Sequence, residues 1–343
     1  MRAVTIDPLT SLRFFAAAMV VANHLPATRD HLPSLFGQHA VTFFFVLSGF
    51  ILTYVHWDDF REGALKMQAA RRFWLRRFAR IYPLQLLMLL VFALWGPHLE
   101  TNTPTAFVLQ LGLLQSWVPS LLFSFNQPAW SISDEAFFYA VFPFVALGLA
   151  RARPTVAQCI LAACIIVLPT MLVVSAVHVP NQAVMYNSLY FPLTQVPFFL
   201  CGVLVARVFA RSELQLPTAL WTLAEIVLCA GFLAAALVPI SPPLAPTVVT
   251  APLAILMVFV FAHSRGLLSR VLSVRPLVYL GEVSFAIYMV HLIIVEAFPL
   301  AVALAATLIV AVAAHELVER PAQNLIQRVG SRMLGLRVAL RRV

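Results

Sequence analysis

Long apolar runs separated by short polar connections make up most of the chain. Because a hydrocarbon core about 30 Å thick is crossed by roughly 20 helical residues, runs of this length predict membrane-spanning helices. The pattern therefore predicts an all-α fold, a polytopic transmembrane helical bundle of about ten spans. The predicted spans cover residues 9–25, 40–57, 81–98, 130–149, 156–177, 188–208, 219–238, 248–262, 277–295 and 298–318.

A shorter apolar stretch and the carboxyl-terminal tail complete the pattern. Residues 106–117 are apolar but too few to span a bilayer, which predicts an interfacial or re-entrant helix. Residues 323–343 alternate arginine with aliphatic residues at roughly helical spacing, which predicts a basic amphipathic helix on the inner leaflet. We therefore divide the chain into a transmembrane domain, residues 1–321, and a cytoplasmic tail, residues 322–343.

Composition agrees with a lipid bilayer as the solvent. The chain is 62% hydrophobic and 11% charged, against about 45–50% and about 25% in ordinary soluble domains. Its net charge of +9 comes mostly from arginines confined to particular connections, so nucleic acid is not expected as a partner. The cysteines lie in apolar runs without metal-ligand spacing, and we expect no metal site. They are Cys159, Cys164, Cys201 and Cys229.

The arginines also predict the orientation of the chain. If the amino terminus is cytoplasmic, the inside connections hold nearly all of the basic residues and the outside connections hold only Arg29. By the positive-inside rule, this favours an even number of spans with both termini in the cytoplasm. Because Arg13 interrupts the first apolar run, we expect no cleavable signal peptide.

Charged side chains at membrane depth are costly unless they face a polar cavity or a partner, so they are functional candidates. Arg13 and His24 are 11 residues apart, which places them on one helix face at depths of about 6 Å and about 22 Å from the inner side. Glu135 enters from the outer side and reaches about the same depth as His24. We therefore predict that His24 and Glu135 meet, which would make His24 a suitable general base. The alternative is that Arg13 and His24 are structural residues that satisfy backbone carbonyls.

A second candidate site is the basic segment at residues 71–83. Arg72, Arg76 and Arg80 recur every four residues and Arg77 precedes Arg80 by three, so one helix face presents several guanidinium groups. Guanidinium groups bind phosphate bidentately. The alternative is that the segment fixes topology and binds anionic lipid, as basic cytoplasmic loops commonly do.

Other polar residues are weaker candidates. Ser48 and Gly49 favour a site of close helix packing, and Glu319 is expected to form a local ion pair with the adjacent Arg320. We also consider Thr101 to Ala129 as a lining of an outer pocket, with Trp117, Asn126 and Gln127 as contacts. The remaining candidates are Glu282, Tyr288, His291, His315 and Glu316.

At these residues the chain resembles the acyltransferase-3 family of membrane O-acylases, which act on bacterial polysaccharides, O-antigens and some antibiotics. The similar motifs occur in order from residue 12 to residue 291: LRFFAAAMVVANH, FFFVLSGFIL, FWLRRFARIYP, WSISDEAFFYAVFP and LGEVSFAIYMVH. The resemblance implies ten transmembrane helices in the bacterial inner membrane. It also implies acyl-coenzyme A, most simply acetyl-coenzyme A, as the cytoplasmic donor and a hydroxyl acceptor at or beyond the outer face.

The resemblance also assigns roles to residues of this chain. It implies that Arg13 and His24 are the essential pair of the first helix, that Arg77 and Arg80 hold coenzyme A, and that Glu135 is the acidic residue of the tryptophan-serine motif. The arginine spacing adds Arg76 to the candidate donor-binding residues. The chain departs from many members at Thr42 and at Ala136, where those members carry acidic residues. It also lacks the fused esterase-like domain of some relatives, so we expect any second transfer step to need partner proteins of a glycan pathway.

The resulting hypothesis is an O-acyltransferase in which His24, oriented by Glu135, deprotonates a carbohydrate hydroxyl, while Arg13, Arg77 and Arg80 bind the donor. Attack is either direct or through an acyl-His24 intermediate. A proton-coupled transporter is the alternative, because carriers also place His, Glu and Arg at membrane depth. A dense arginine cluster and the absence of an internal repeat argue against it. A purely structural subunit would leave the charged stripe unexplained.

Overall fold

The computed structural model describes residues 5–29, 31–33, 36–60, 66–97, 99–151, 189–238 and 250–334. These ranges are helical and contain no β-strand. The α-helices are α1 Asp7–His24, α2 Pro26–Arg29, α3 Phe36–Phe60, α4 Met67–Trp95, α5 Pro104–Leu111, α6 Trp130–Arg151, α7 Pro192–Phe209, α8 Thr218–Leu237, α9 Ala251–His263, α10 Leu267–Leu272, α11 Arg275–Val295, α12 Leu300–Ala314 and α13 Arg320–Met333. A π-helical turn, His315–Glu319, joins the last two.

Seven helical stretches in the described part of the chain are long and apolar enough to cross a membrane. They coincide with seven of the predicted runs, which confirms the all-α class and the presence of several spans. The seven are Phe36–Phe60, Met67–Trp95, Gln127–Arg151, Pro192–Phe209, Thr218–Leu237, Arg275–Val295 and Leu300–Met333.

The other three predicted runs differ from these seven. Residues 9–25 form α1, whose 18 residues include Arg13, Asn23 and His24 and are therefore less apolar. Residues 248–262 give only α9, which is 13 residues long. Residues 156–177 lie outside the described residues. The count of ten spans and the cytoplasmic placement of both termini stay predictions.

Two segments of the sequence fold differently from expectation. Residues 106–117 do not form one helix: α5 ends at Leu111, and a short 3-10 turn, Gln115–Trp117, follows. The reason is Leu113, whose φ of 56° is left-handed and cannot continue an α-helix. The predicted span 81–98 also has different bounds: α4 begins at Met67 and ends at Trp95, so the basic segment at residues 71–83 lies on the same helix as the apolar span.

The described chain forms two compact units. The first comprises Met1–His56, Arg153–Leu189 and Leu193–Ser284, and the second comprises Trp57–Ala152, Tyr190–Pro192 and Phe285–Val343. The division into a transmembrane domain and a cytoplasmic tail at residue 321 stays a prediction.

Close helix contacts build the first unit. A side chain at Gly49 of α3 would collide with the backbone of Phe199 in α7, and one at Gly202 would collide with the carbonyl of Val46. The two helices therefore cross with their backbones in contact, which small residues permit inside membranes. This confirms the close helix packing predicted at Gly49. The hydroxyl of Ser11 in α1 donates to the carbonyl of Leu272 at 2.5 Å and joins α1 to α10.

Aromatic packing and a polar layer build the second unit. Phe73 of α4 stacks on Phe142 of α6 with ring centroids 5.1 Å apart, and Phe60 meets both rings edge-on. In the connection between α4 and α6, Gln85 donates to the side chain of Gln110 at 3.2 Å, and Gln110 donates to the carbonyl of Ser124 at 2.5 Å. These buried amides order a connection that has little regular helix.

Candidate active site

The first part of the candidate site is the polar stripe of α1. Arg13 and His24 both lie on this helix, and both side chains are half-buried. The Nδ1 atom of His24 lies 2.8 Å from the carbonyl oxygen of Val20. Because a carbonyl only accepts, Nδ1 carries the proton of a neutral imidazole and the lone pair is on Nε2. The backbone of α1 thus sets the tautomer that a general base needs.

Hydrogen bonds at its two ends hold α1 in the first unit. Near the amino-terminal end, Ser11 bonds Leu272 as described above. At the other end, the amide side chain of Asn23 accepts from the backbone N–H of Gly37 at 3.2 Å. Asn23 precedes His24 directly, so this bond limits the movement of the imidazole relative to the start of α3.

The second part of the candidate site is the acidic segment of α6. The hydroxyl of Tyr139 donates to Glu135, one helical turn earlier, and the side chain of Tyr139 is buried. The guanidinium carbon of Arg77 lies 5.9 Å from the centroid of the Tyr139 ring, within the range of a cation–π contact. The indole N–H of Trp74 donates to the backbone carbonyl of Tyr139 at 3.0 Å.

Tyr139 therefore contacts a predicted donor-binding arginine with its ring and the predicted catalytic carboxylate with its hydroxyl. The structure brings Arg77 and Glu135 into one network in the second unit. His24 belongs to the first unit, and its meeting with Glu135 stays a prediction.

The predicted basic cluster lies on α4. Arg71 and Arg72 are exposed, whereas Arg76, Arg77 and Arg80 are half-buried. The Nε atom of Arg77 is buried and has no hydrogen-bond partner among the described residues. Arg80 forms an ion pair with Glu319, and its guanidinium lies 5.5 Å from the ring centroid of Phe285. The two arginines of the Arg-x-x-Arg motif thus have different environments.

The prediction that Glu319 pairs with Arg320 is wrong. Arg320 pairs instead with Glu316, to whose carboxylate it donates two hydrogen bonds of 2.7 and 2.9 Å. Residues four apart face each other on a helix, whereas adjacent residues point in different directions. Glu319 instead points inward to Arg80, on a different helix.

A buried polar group around α6 was missed in the sequence. Asp134 is fully buried, and neither of its carboxyl oxygens has a hydrogen-bond partner in the described part of the chain. The hydroxyl of Ser116 in the preceding connection donates to the hydroxyl of Ser133 at 2.6 Å. The sequence did offer an indication of Asp134, because it is an acidic residue directly before Glu135 within an apolar run.

Tyr288, a weak candidate in the sequence, is part of the same region. Its hydroxyl donates to the carbonyl of Pro128 at 2.8 Å and shares a 2.7 Å hydrogen bond with the hydroxyl of Ser131. The amide of Asn126 donates to the carbonyl of Met289 at 3.1 Å. These hydrogen bonds join α11 to the start of α6 and to the turn before it, close in sequence to Asp134.

The described residues contain no group of three or more histidine, cysteine, aspartate or glutamate side chains able to hold a metal ion. Cys201 is buried and Cys229 is partly buried, and both are free thiols. Cys159 and Cys164 lie outside the described residues.

Comparison with known proteins agrees with the motifs. The acyltransferase-3 family model, described as an acyltransferase domain, matches residues 7–327. The chain is 32% identical to the acyltransferase MdmB of Streptomyces mycarofaciens over 331 residues, which covers 86% of this chain and 80% of that protein. It is 23% identical to the peptidoglycan O-acetyltransferase OatA of Listeria monocytogenes over 315 residues, which covers 83% of this chain but 49% of that relative. No solved structure matches.

The family model spans nearly the whole chain, including all of the helices that carry the candidate residues. Together with the helices long enough to cross a bilayer, it identifies a multi-pass membrane acyltransferase. The chain therefore belongs to the acyltransferase-3 family.

Proposed function

We propose that this protein transfers an acyl group, acetyl by preference, from cytoplasmic acyl-coenzyme A to a hydroxyl of an extracytoplasmic carbohydrate. The observation that carries the proposal is the state of His24. Its Nδ1 bonds the Val20 carbonyl, so Nε2 is the basic nitrogen, and it shares a helix with Arg13. An imidazole in this tautomer is suited to remove a hydroxyl proton near neutral pH.

The proposed reaction has a simple balance. Nε2 of His24 takes the acceptor's hydroxyl proton while the hydroxyl oxygen forms a bond to the thioester carbonyl carbon. The carbon–sulfur bond then breaks, and the proton passes from the imidazolium to the coenzyme A thiolate, which leaves as the thiol. Glu135 stabilises the charged imidazole. If His24 itself attacks the thioester first, Nε2 bonds the carbonyl carbon while the carbon–sulfur bond breaks and the thiolate leaves. The acceptor oxygen then displaces Nε2 from that carbon, and the hydroxyl proton goes to the thiolate.

The arginines of α4 are the proposed donor site. Arg77 has a buried Nε without a hydrogen-bond partner in the described chain, which a phosphate oxygen of coenzyme A would satisfy. Arg76 and Arg80 lie on the same helix, and Arg13 assists from α1 in this proposal. A phosphate-binding cluster near the cytoplasmic end of a span suits a donor made in the cytoplasm.

The carbohydrate acceptor and the bacterial inner membrane are also proposals. They draw support from the peptidoglycan O-acetyltransferase of Listeria, a relative whose name states an acetyl group and a glycan. A multi-pass protein of the inner membrane would have access to coenzyme A on one side and to exported glycans on the other.

The test uses purified protein in liposomes, radiolabelled acetyl-coenzyme A and a panel of glycan acceptors. We expect the unaltered protein to label an acceptor and to release free thiol, and His24→Ala to do neither while remaining folded. His31→Ala is the matched control, because His31 is an exposed histidine in the turn after α2, and its activity should be that of the unaltered protein.

Two results would contradict the proposal. Equal transfer by the unaltered protein and by His24→Ala would remove the imidazole from the reaction. Movement of an acceptor into the liposomes without any acylation or thiol release would favour a carrier instead.

A further inference from the structure

A buried ion-pair network lies where α4 meets the end of α12. Glu319 is fully buried at the end of the π-helical turn His315–Glu319. Its carboxylate forms an ion pair with Arg80. It also accepts hydrogen bonds from Nδ1 of His315 at 3.0 Å and from the side-chain amide of Gln323 at 3.4 Å. One carboxylate therefore joins α4, the π turn and α13.

The location of this carboxylate is unusual for a structural ion pair. A charge taken out of water is costly, and pairing does not in general repay that cost. The neighbouring Glu316–Arg320 pair is exposed on the same helical stretch and needs no burial. The π turn is also an irregular helix, a form that recurs at functional sites. Both features indicate that Glu319 serves more than the stability of the last span.

We propose that Glu319 is a positioning residue for donor binding and acts through Arg80. This inference rests on the proposed function. A guanidinium carries five N–H donors in a planar fork, so it can bind a carboxylate and a phosphate at the same time. Glu319 anchors one side of the fork and the Phe285 ring covers a face at 5.5 Å. The orientation of the remaining N–H groups toward coenzyme A is thereby fixed before the donor arrives.

In this proposal Arg80 binds the phosphate groups of the donor and not its acyl group. Removing the Glu319 charge should therefore raise the KM for acetyl-coenzyme A by about tenfold, the effect expected of a disturbed hydrogen bond to a charged group. The kcat should change little, because this binding is common to the ground state and the transition state. With S-acetyl-pantetheine, which lacks the phosphates, KM should not change.

The experiment compares Glu319→Gln, Glu319→Asp and unaltered protein in liposomes with both donors. Glu319→Gln keeps the size of the side chain and removes its charge. Glu319→Asp keeps the charge and should retain more of the donor affinity. The matched control is Glu316→Gln, which removes an exposed carboxylate three residues away and should leave KM for both donors unchanged.

A double-mutant cycle separates positioning from folding. Leaving Arg80 without its carboxylate partner can destabilise the protein, whereas removing both charges avoids an unpaired one. If Glu319 acts through Arg80, the double variant Arg80→Gln plus Glu319→Gln should have the KM of Arg80→Gln alone. If the double variant instead raises KM by the product of the two single-variant factors, the two residues act independently and the inference is overturned. Equal effects of Glu319→Gln on the KM of both donors would also overturn it.

The failure of this inference differs from the failure of the proposed function. If the unaltered protein transfers acyl groups and Glu319→Gln has an unchanged KM for acetyl-coenzyme A, only the inference is overturned. If the unaltered protein transfers nothing from either donor, the proposed function is overturned and the inference with it.

Discussion

The hydroxyl of Tyr139 donates a hydrogen bond to Glu135, and the centroid of the Tyr139 ring lies 5.9 Å from the guanidinium carbon of Arg77. A side chain with two such contacts can hold the proposed catalytic carboxylate and the proposed donor-binding arginine in a common arrangement. The two contacts are chemically separable, because the ring and the hydroxyl can be changed independently.

Replacing Tyr139 with phenylalanine removes the hydroxyl and keeps the ring. We expect kcat to fall about tenfold, since Glu135 loses a hydrogen bond to a charged group, while the KM for acetyl-coenzyme A stays the same because the contact with Arg77 remains. Steady-state kinetics in liposomes measure both constants. Tyr82→Phe is a control on α4, since the Tyr82 hydroxyl bonds the carbonyl of Leu111. A fall in kcat of the same size in both variants would argue against a role for Tyr139 in the reaction.

The two arginines of the Arg-x-x-Arg motif should differ when each is replaced by alanine. Arg77→Ala should weaken donor binding with little loss of stability, because Arg77 has no ion pair with a described residue. Arg80→Ala leaves the buried Glu319 without its cation, so it should also destabilise the fold by on the order of 3 kcal/mol. Thermal unfolding in detergent and donor-binding measurements check this, with Arg71→Ala as an exposed control on the same helix. Equal melting temperatures for Arg77→Ala and Arg80→Ala would contradict the structural difference.

The crossing of α3 and α7 should not tolerate a methyl group. Gly49→Ala and Gly202→Ala each place a Cβ against backbone of the facing helix, and overpacking of this kind costs about 1–3 kcal/mol. Gly148→Ala is the control, because no atom outside its own stretch of helix lies within 4 Å of its Cβ position and alanine favours a helix interior by about 1 kcal/mol. In thermal unfolding we therefore expect the highest melting temperature for Gly148→Ala, the next for the unaltered protein and the lowest for Gly49→Ala and Gly202→Ala. A crossing variant as stable as the unaltered protein would show that the helices can separate without cost.

Glu225 should be essential to the first unit. It is fully buried in α8 and accepts from the backbone N–H groups of Gly266 and Ser269 at 3.1 Å each. Glu225→Ala leaves buried donors unsatisfied, at about 1–3 kcal/mol for each group. Glu213→Ala, at an exposed position after α7, should have little effect on the same melting curve. A small effect of Glu225→Ala would mean that water replaces the carboxylate.

Local pattern was enough to predict several of these features. The helices of the apolar runs follow from length and composition, because the backbone has no other partner than itself in hydrocarbon. Glu135 and Tyr139 are four residues apart, so helical periodicity alone places their side chains next to each other. By contrast, the break at Leu113 depends on a backbone conformation that apolar residues do not signal.

The sequence by itself determined that this protein is a multi-span helical membrane protein of the acyltransferase-3 type. The length of an apolar run and the residues of a motif are both local properties of the chain, so they can be recognised without the tertiary structure. Only the tertiary structure decided which charged groups pair. Arg80 and Glu319 are separated by more than 200 positions, and a buried carboxylate takes whichever cation the packing of helices brings to it rather than the adjacent Arg320. The different environments of Arg77 and Arg80 follow from that packing.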